Sequence, residues 1–337
     1  MTRTAFVTGG TGFVGGAILA RLVADGWSVR ALARSEVGER SVREAGGEPV
    51  PGDLADIQAL LSAMRGCDTV FNVAGVNRIC VRDPAPMLAA NVEGAAIVVR
   101  AAAAAGVRRV VHTSSAATIG ERAGVVADEG SPHRGSFLSE YERSKFQGER
   151  RAFELGEELG IEVVSVNPSS VQGPGRTTGS ALMFLRFVNS RMPAVVDADL
   201  SVVDLVDCTE AHVRAADRGV PGERYLVSGA SLTTREAIEV VRKVAGRPRR
   251  VLRLPRLTVR AAGFAGSVAG RLGRDPPFCR ELAATLLHGH RYDGSRASRE
   301  LRISYTPIED TVRRTLAWYA ERGLAPPLPG TARRAVA

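Results

Sequence analysis

"TAFVTGGTGFVGG", residues 4–16, decides the fold. Residues 4–8 form a short apolar run, the chain then breaks at Gly9, and an amphipathic helical pattern starts at Phe13 and continues to residue 25. Gly9, Gly12 and Gly15 therefore lie between a strand and a helix. The first permits a tight turn, the second lets backbone approach a pyrophosphate, and the third lets helix pack on strand. Unpaired N–H groups and the helix dipole favour negative charge at that helix start. Thr8, Phe13 and Val14 share the turn with the glycines.

The same alternation continues outward. "SVRALAR" (28–34) reads as a second strand, followed by a helix around 55–65 and a strand at "TVFNVAG" (69–75). "NVEGAAIVVRAAAAAG" (91–106) is a helix, "RRVVHTSS" (108–115) a strand, 139–159 a helix ending at Gly160, and "EVVSVNPSS" (162–170) a strand. Strands alternating with helices of this length imply an α/β fold, a doubly wound parallel sheet. Beyond residue 170 the rhythm loosens. Residues 173–179 read as loop, 181–191 as helix, 201–216 as strand then helix, 224–229 as strand and 233–245 as helix. The expectation is a Rossmann-type domain over 1–172 with about 200–218. A smaller, mostly helical substrate lobe follows over 173–199 and 219–322, with a tail at 323–337 whose Pro/Gly/Ala/Arg-rich part, 325–337, is expected to be disordered.

The net charge of +9 and the high isoelectric point raise nucleic-acid or membrane binding. Of 45 basic residues only Lys145 and Lys243 are lysine, and the arginines are scattered, with aromatics at 5%. No nucleic-acid signature appears, and no apolar run reaches the length of a membrane span. Cys67, Cys80, Cys208 and Cys279 stand far apart without metal-ligand spacing. They read as free thiols of a reducing, cytoplasmic compartment, and no metal is expected. Residues 247–274 are basic and partly amphipathic; a solvated helical face is favoured over a lipid surface or an anion site.

Arg34 and Ser35 occupy the end of the second strand, where an acid would bond the ribose of NAD. A guanidinium there suits a 2′-phosphate, hence NADP, while Glu36 leaves NAD open. Asp53, with Leu54 beside it, is placed to take the adenine amino group or to N-cap the following helix. Val73, Ala74 and Gly75 give a small-residue backbone strip beside a ribose.

Tyr141 and Lys145 lie one helical turn apart in "SEYERSKFQGE" (139–149), on one face. Ser139 with Glu142 resembles a capping box. A neighbouring ammonium stabilises a phenolate and brings tyrosine towards the working range of an acid–base group. "HTSSAATIG" (112–120) follows a parallel strand, at the sheet end where ligands bind, and offers Ser115, or Ser114, as a hydroxyl for the reacting oxygen.

The order of "TGGTGFVG", "GDL", "NVAG", "NVEG", "HTSSAATIG", "YERSK" and "NPSSVQGPG" resembles the extended short-chain dehydrogenase/reductases, to about residue 322. The resemblance implies a catalytic triad of Ser115, Tyr141 and Lys145, with Asn91 as a fourth member or a helix support. It also implies that Pro168, Ser169 and Ser170 border the nicotinamide. "RDPAPMLAANVEG", "NSRMPAVVD" and "SRASRELRISYTPIEDTVRRTLAWY" are most similar to the dihydroflavonol-reductase-like group and the hopanoid-associated sugar-epimerase branch. The expected activity is an NADP(H)-dependent oxidoreductase acting on a carbonyl or secondary alcohol. The alternatives are an NAD-retaining sugar epimerase or dehydratase, and a non-catalytic nucleotide sensor. Residues 176–200 and 245–290 should line the substrate pocket. The family's helix pair, 91–105 and 139–159 here, implies a homodimer.

Overall fold

The computed structural model describes residues 2–190, 194–246, 250–272 and 276–329. The nucleotide-binding half runs β1 (Thr4–Thr8), α1 (Phe13–Ala24), β2 (Ser28–Ala33), α2 (Glu36–Glu44), β3 (Glu48–Pro51), α3 (Ile57–Met64), β4 (Thr69–Asn72), α4 (Ala85–Ala104), β5 (Arg109–Thr113), α5 (Glu140–Leu159) and β6 (Glu162–Pro168). Next come β7 (Ser170–Gln172), α6 (Ser180–Asn189), β8 (Asp199–Asp204), α7 (Leu205–Arg218), β9 (Arg224–Val227), β10 (Ala230–Thr233) and α8 (Thr234–Ala245). α9 (Arg256–Gly270), α10 (Arg280–His288), α11 (Ser295–Leu301) and α12 (Ile308–Glu321) complete the chain.

Seven strands form one parallel sheet in the order β9-β6-β5-β4-β1-β2-β3. The order reverses at β1, so crossovers on its two sides lie on opposite faces and a crevice opens beyond its carboxyl end. Both faces are covered, which is why these strands are apolar throughout rather than alternating. Ala5 and Val7 point to α1 and α7, packing with Ile18, Leu19, Leu22 and Val213. Phe6, between them, points the other way and meets Leu60, Met64, Val98, Val99 and Leu155 from α3, α4 and α5. A separate sheet, β10-β8-β7, and a cluster around Leu185, Val241, Leu316 and Tyr319 build the outer half.

Several expectations change. The strand read as 162–170 stops at Pro168, and Ser170–Gln172 joins the smaller sheet beside β8. The helix read from residue 91 begins at Ala85 and carries a π-turn over Ala89–Glu93. It is long and apolar enough to span a membrane, yet half of its most apolar window is buried, and it packs on α3 and α5 as a core helix. Asp56, rather than Asp53, N-caps α3, accepting from Ala59 N at 3.0 Å. The tail is partly ordered: Ala325 and Leu328 pack on the outer cluster, while 330–337 lie outside the described residues. Within 247–274, α9 exposes Leu257, Phe264 and Val268, with Leu272 just beyond it; 247–249 and 273 and 274 lie outside the described residues.

The largest correction concerns the cysteines. Cys80 and Cys279 form a disulfide across a sequence separation of 199, joining the loop after β4 to the N-cap of α10. Only Cys67 and Cys208 are free, both buried. Distance in sequence says nothing of distance in space, so the inference to a reducing compartment loses its ground. Closing so long a loop restricts the unfolded chain and is worth up to about 5 kcal/mol on a chain-entropy basis. Thiol titration of the denatured, unreduced protein should count two groups, Cys67 and Cys208, and four after reduction. A count of four before reduction would overturn the bridge.

Candidate active site

The glycine turn is shaped by close backbone contacts. Gly9 has φ +69°, and a Cβ there would stand 2.8 Å from Ala74 N. A Cβ at Gly15 would stand 2.1 Å from Gly9 O, so the first turn of α1 packs directly on the loop. Gly12 is the N-cap of α1 and supplies no side chain to bond the first N–H groups. That helix start is built to receive an acceptor from outside. Thr8 Oγ1 donates to Asn72 Oδ1 at 2.9 Å and accepts from Val73 N and Ala74 N at 3.0 Å each. One hydroxyl thus fixes the strip Val73, Ala74 and Gly75 against the end of β1.

Arg34 stands exposed at the end of β2 and makes no ion pair among the described residues. Ser35 caps α2, accepting from Gly38 N at 3.2 Å, and a Cβ at Gly38 would meet Thr11 Cγ2 at 3.2 Å. The start of α2, and Arg34 with it, therefore adjoins the glycine turn. Asp53 is exposed and accepts from Ala55 N at 3.1 Å; Leu54 packs beside Gly94 on α4.

α5 carries Tyr141 and Lys145. Ser139 Oγ accepts from Glu142 N at 3.2 Å, but the Glu142 carboxylate accepts from Leu138 N and pairs with Arg134. Only half of a capping box forms. Tyr141 is half-buried near Ser115, whose hydroxyl favours the charged form of the phenol and whose Oγ accepts from Ala117 N at 3.3 Å. Ser114 is fully buried with an unpartnered Oγ, so Ser115 is the serine beside Tyr141. Lys145 is buried. Its Nζ donates to Thr113 O at 2.7 Å and would lie 3.8 Å from a Cβ on Gly75.

The electrostatics differ from the sequence reading. Burial pushes the Tyr141 phenol above its usual 10, and the Ser115 hydroxyl and the Arg176 charge pull it back. Burial brings Lys145 down from 10.5 to about 8, opposed by the carboxylate of Glu149 one turn on. The cation acting on the phenol is therefore Arg176, which sequence reasoning missed. It lies in "GPGRTTG" (173–179), a loop with no periodic signal, and is one arginine among 43. Its guanidinium sits 5.5 Å from the Phe13 ring, and its backbone carbonyl accepts from Tyr319 Oη at 3.0 Å.

Asn91, in the π-turn of α4, accepts from Val76 N at 2.8 Å and donates to Val76 O at 3.0 Å and Ser144 Oγ at 2.9 Å. Its carboxamide joins the 75–76 loop to α5. Pro168, Ser169 and Ser170 link the two sheets; Ser169 Oγ is buried and unpartnered, and Ser170 Oγ accepts from Gln172 Nε2.

Residues 5–228 match the model of the NAD dependent epimerase/dehydratase family. A curated protein of Synechocystis named putative dihydroflavonol 4-reductase is 30% identical, over 94% of this chain and 95% of its own. Sterol demethylase protein B of Methylococcus capsulatus is 31% identical, over 95% of this chain and 99% of its own. The crystal structure of gox2253 superposes with a TM-score of 0.84 at 31% identity, covering 96% of this chain and 100% of that one.

Replacing Asn91 by Ala leaves both polar groups of Val76 and the Ser144 hydroxyl short of a partner. The cost in urea unfolding should be about 2–3 kcal/mol, because unsatisfied buried groups lose their full desolvation term. Lost activity with a stability change under about 0.5 kcal/mol would instead place Asn91 in the chemistry.

Proposed function

This chain belongs to the NAD dependent epimerase/dehydratase family, and within it we propose an NADP(H)-dependent reductase acting on a carbonyl or secondary alcohol. The observation that carries the reading is the buried Lys145, bonded to Thr113 O at 2.7 Å at the carboxyl end of β5 and 3.8 Å from where a Cβ on Gly75 would be, with the Ser115 hydroxyl close enough to Tyr141 to favour its charged form. The name of the Synechocystis relative, a dihydroflavonol 4-reductase, favours a reductase. So does Arg34, an exposed cation near the start of α1 without an ion pair among the described residues.

The residues present fit a dinucleotide. Gly9, Gly12 and Gly15 leave the space that side chains would fill, and the uncapped start of α1 offers N–H groups to a pyrophosphate. Arg34 would hold a 2′-phosphate, with Asp53 and Leu54 near the adenine. Val73 to Gly75 and Lys145 would face a ribose, and Pro168 to Ser170 the nicotinamide. Bound there, the nicotinamide supplies or removes a hydride. Ser115 and Tyr141 hold the substrate oxygen through their hydroxyls, and Tyr141 delivers its proton to that oxygen during reduction. Lys145, anchored on Thr113 O, keeps two N–H groups for ribose hydroxyls and a charge near the forming phenolate. Arg176 adds a second charge to the same phenolate. In this reading residues 1–172 with 200–218 form the nucleotide domain, and 173–199 with 219–322 bind substrate. A homodimer through α4 and α5 completes it; a groove lined by Val92, Phe137, Phe146 and Arg150 runs between them.

Tyr141→Phe should lower kcat/KM by about 10²–10⁴ while NADPH affinity holds, since only proton transfer is removed. Protein as purified should release no stoichiometric nucleotide and should prefer NADPH to NADH. Arg34→Ala should cut that preference by about 10- to 100-fold, the value of a charged hydrogen bond. Stoichiometric NAD in the purified protein, identified by mass spectrometry after denaturation, would sink the reductase in favour of a sugar epimerase that retains its cofactor.

A pH dependence follows from Lys145. Its charged form is lost as pH rises through about 8, below the ordinary 10.5, whereas an anionic nucleotide favours the charged form. NADPH binding above pH 8 should therefore take up a proton, and affinity should fall by up to about tenfold per pH unit. Calorimetry in buffers of different ionisation enthalpy reads the proton directly. No uptake near pH 9 would mean that Lys145 stays charged without nucleotide.

A further inference from the structure

We propose that Glu121, His288 and His290 bind a divalent transition-metal ion of the zinc class, at the seam between the segment after Ser115 and the C-terminal half. The proposed chemistry uses none of these residues, and His288 and His290 lie beyond the family match at residues 5–228.

The three side chains converge from distant parts of the chain. Glu121 follows the 3₁₀ turn Ala116–Ile119 that Ser115 caps; His288 ends α10, and His290 precedes a two-residue strand at Arg291 and Tyr292. Gly289, at φ +70° and pressed on Asp199, turns the chain so that both imidazoles reach one carboxylate. His290 Nδ1 lies 2.6 Å and His288 Nε2 3.6 Å from Glu121 Oε1, and one ligand atom from each residue lies within 4.8 Å of the others. Tetrahedral zinc with bonds of about 2.1 Å sets its ligand atoms about 3.4 Å apart, so the His290–Glu121 pair must open from 2.6 Å while the widest separation, at most 4.8 Å, closes by up to about 1.4 Å.

Two further features point to a ligand. The Glu121 side chain is 2% exposed and that of His288 10%, and His288 Nε2 has no hydrogen-bond partner. A buried imidazole nitrogen without a partner is costly, and it is the atom a metal would take. Second, an outer-shell bond exists: Tyr292 Oη donates to Glu121 Oε2 at 3.2 Å. Such a bond orients a ligating carboxylate. Two imidazoles and one carboxylate select zinc, cobalt or nickel over magnesium or calcium. The Arg134 charge is engaged by Glu142, which leaves the Glu121 charge for the ion.

Zinc chloride titrated by calorimetry into metal-stripped, full-length protein should bind at one equivalent and raise the melting temperature, because the ion ties two separated segments. His288→Gln and His290→Gln should each weaken that binding by about 100-fold or more, the scale expected when a direct ligand is lost. Zinc-edge X-ray absorption on the wild-type complex tests the same point without a variant: two imidazole nitrogens and a carboxylate oxygen are expected. Absence of binding, sulfur in the ligand shell, or affinity unchanged in both variants would overturn the site.

Discussion

The hydroxyl of Thr8 holds the point on which the rest of the structure depends. The strand order reverses between β1 and β4, and their connections leave on opposite faces of the sheet. A crevice at such a reversal is only as well formed as the backbone at its floor. Thr8 Oγ1 makes three bonds there, to Asn72 Oδ1 and to the N–H groups of Val73 and Ala74. They carry the chain past the end of β4 within 2.8 Å of where a Cβ on Gly9 would be. That approach requires glycine at position 9, and the start of α1 is then aimed at the same crevice.

Charge in this crevice is controlled by burial more than by pairing. Tyr141 and Lys145 are both displaced towards their neutral forms, the phenol upwards and the ammonium down to about 8. Each is opposed by a specific partner: Ser115 and Arg176 for the phenol, Glu149 for the ammonium. Burial costs a charge much of its hydration, so the charged forms gain most from whatever enters the crevice. In the proposed reading, a dinucleotide's phosphates and ribose hydroxyls would supply acceptors to Lys145 and to the bare helix start.

The C-terminal half is held to the sheet by apolar packing, with Ala297, Leu301 and Ile303 part of the sheet's own core, and by a few strong polar contacts. Arg314 pairs with Asp204 at 2.6 Å, Asp207 accepts from Thr306 N at 2.7 Å, and Tyr225 Oη donates to Glu300 at 2.9 Å. The Cys80–Cys279 bridge and the bond between Glu121 and His290 add two more, one on the loop after β4 and one beyond Ser115.

How much of this was legible in the sequence follows from the range of each interaction. The glycine turn, the strand–helix alternation and the Tyr141–Lys145 spacing are set by neighbours within a helical turn or a tight loop, and each was read correctly as local structure. Ser115 could be placed because a parallel strand delivers its end to a known side of the sheet. Of the two roles open to Asp53, the cap falls to Asp56, three residues on, a choice that propensity cannot make between adjacent caps. Where contact depends on chain segments 160 or more residues apart, no periodicity records it. Cys80 with Cys279, Glu121 with His288 and His290, and Tyr319 with the Arg176 loop, at 143 residues nearly as distant, all fall in that class. Arg176 adds a second reason. Composition hid it, since a chain that uses arginine for nearly every cation gives no reason to single one out. Lys145 stood out on the same ground, as one of only two exceptions.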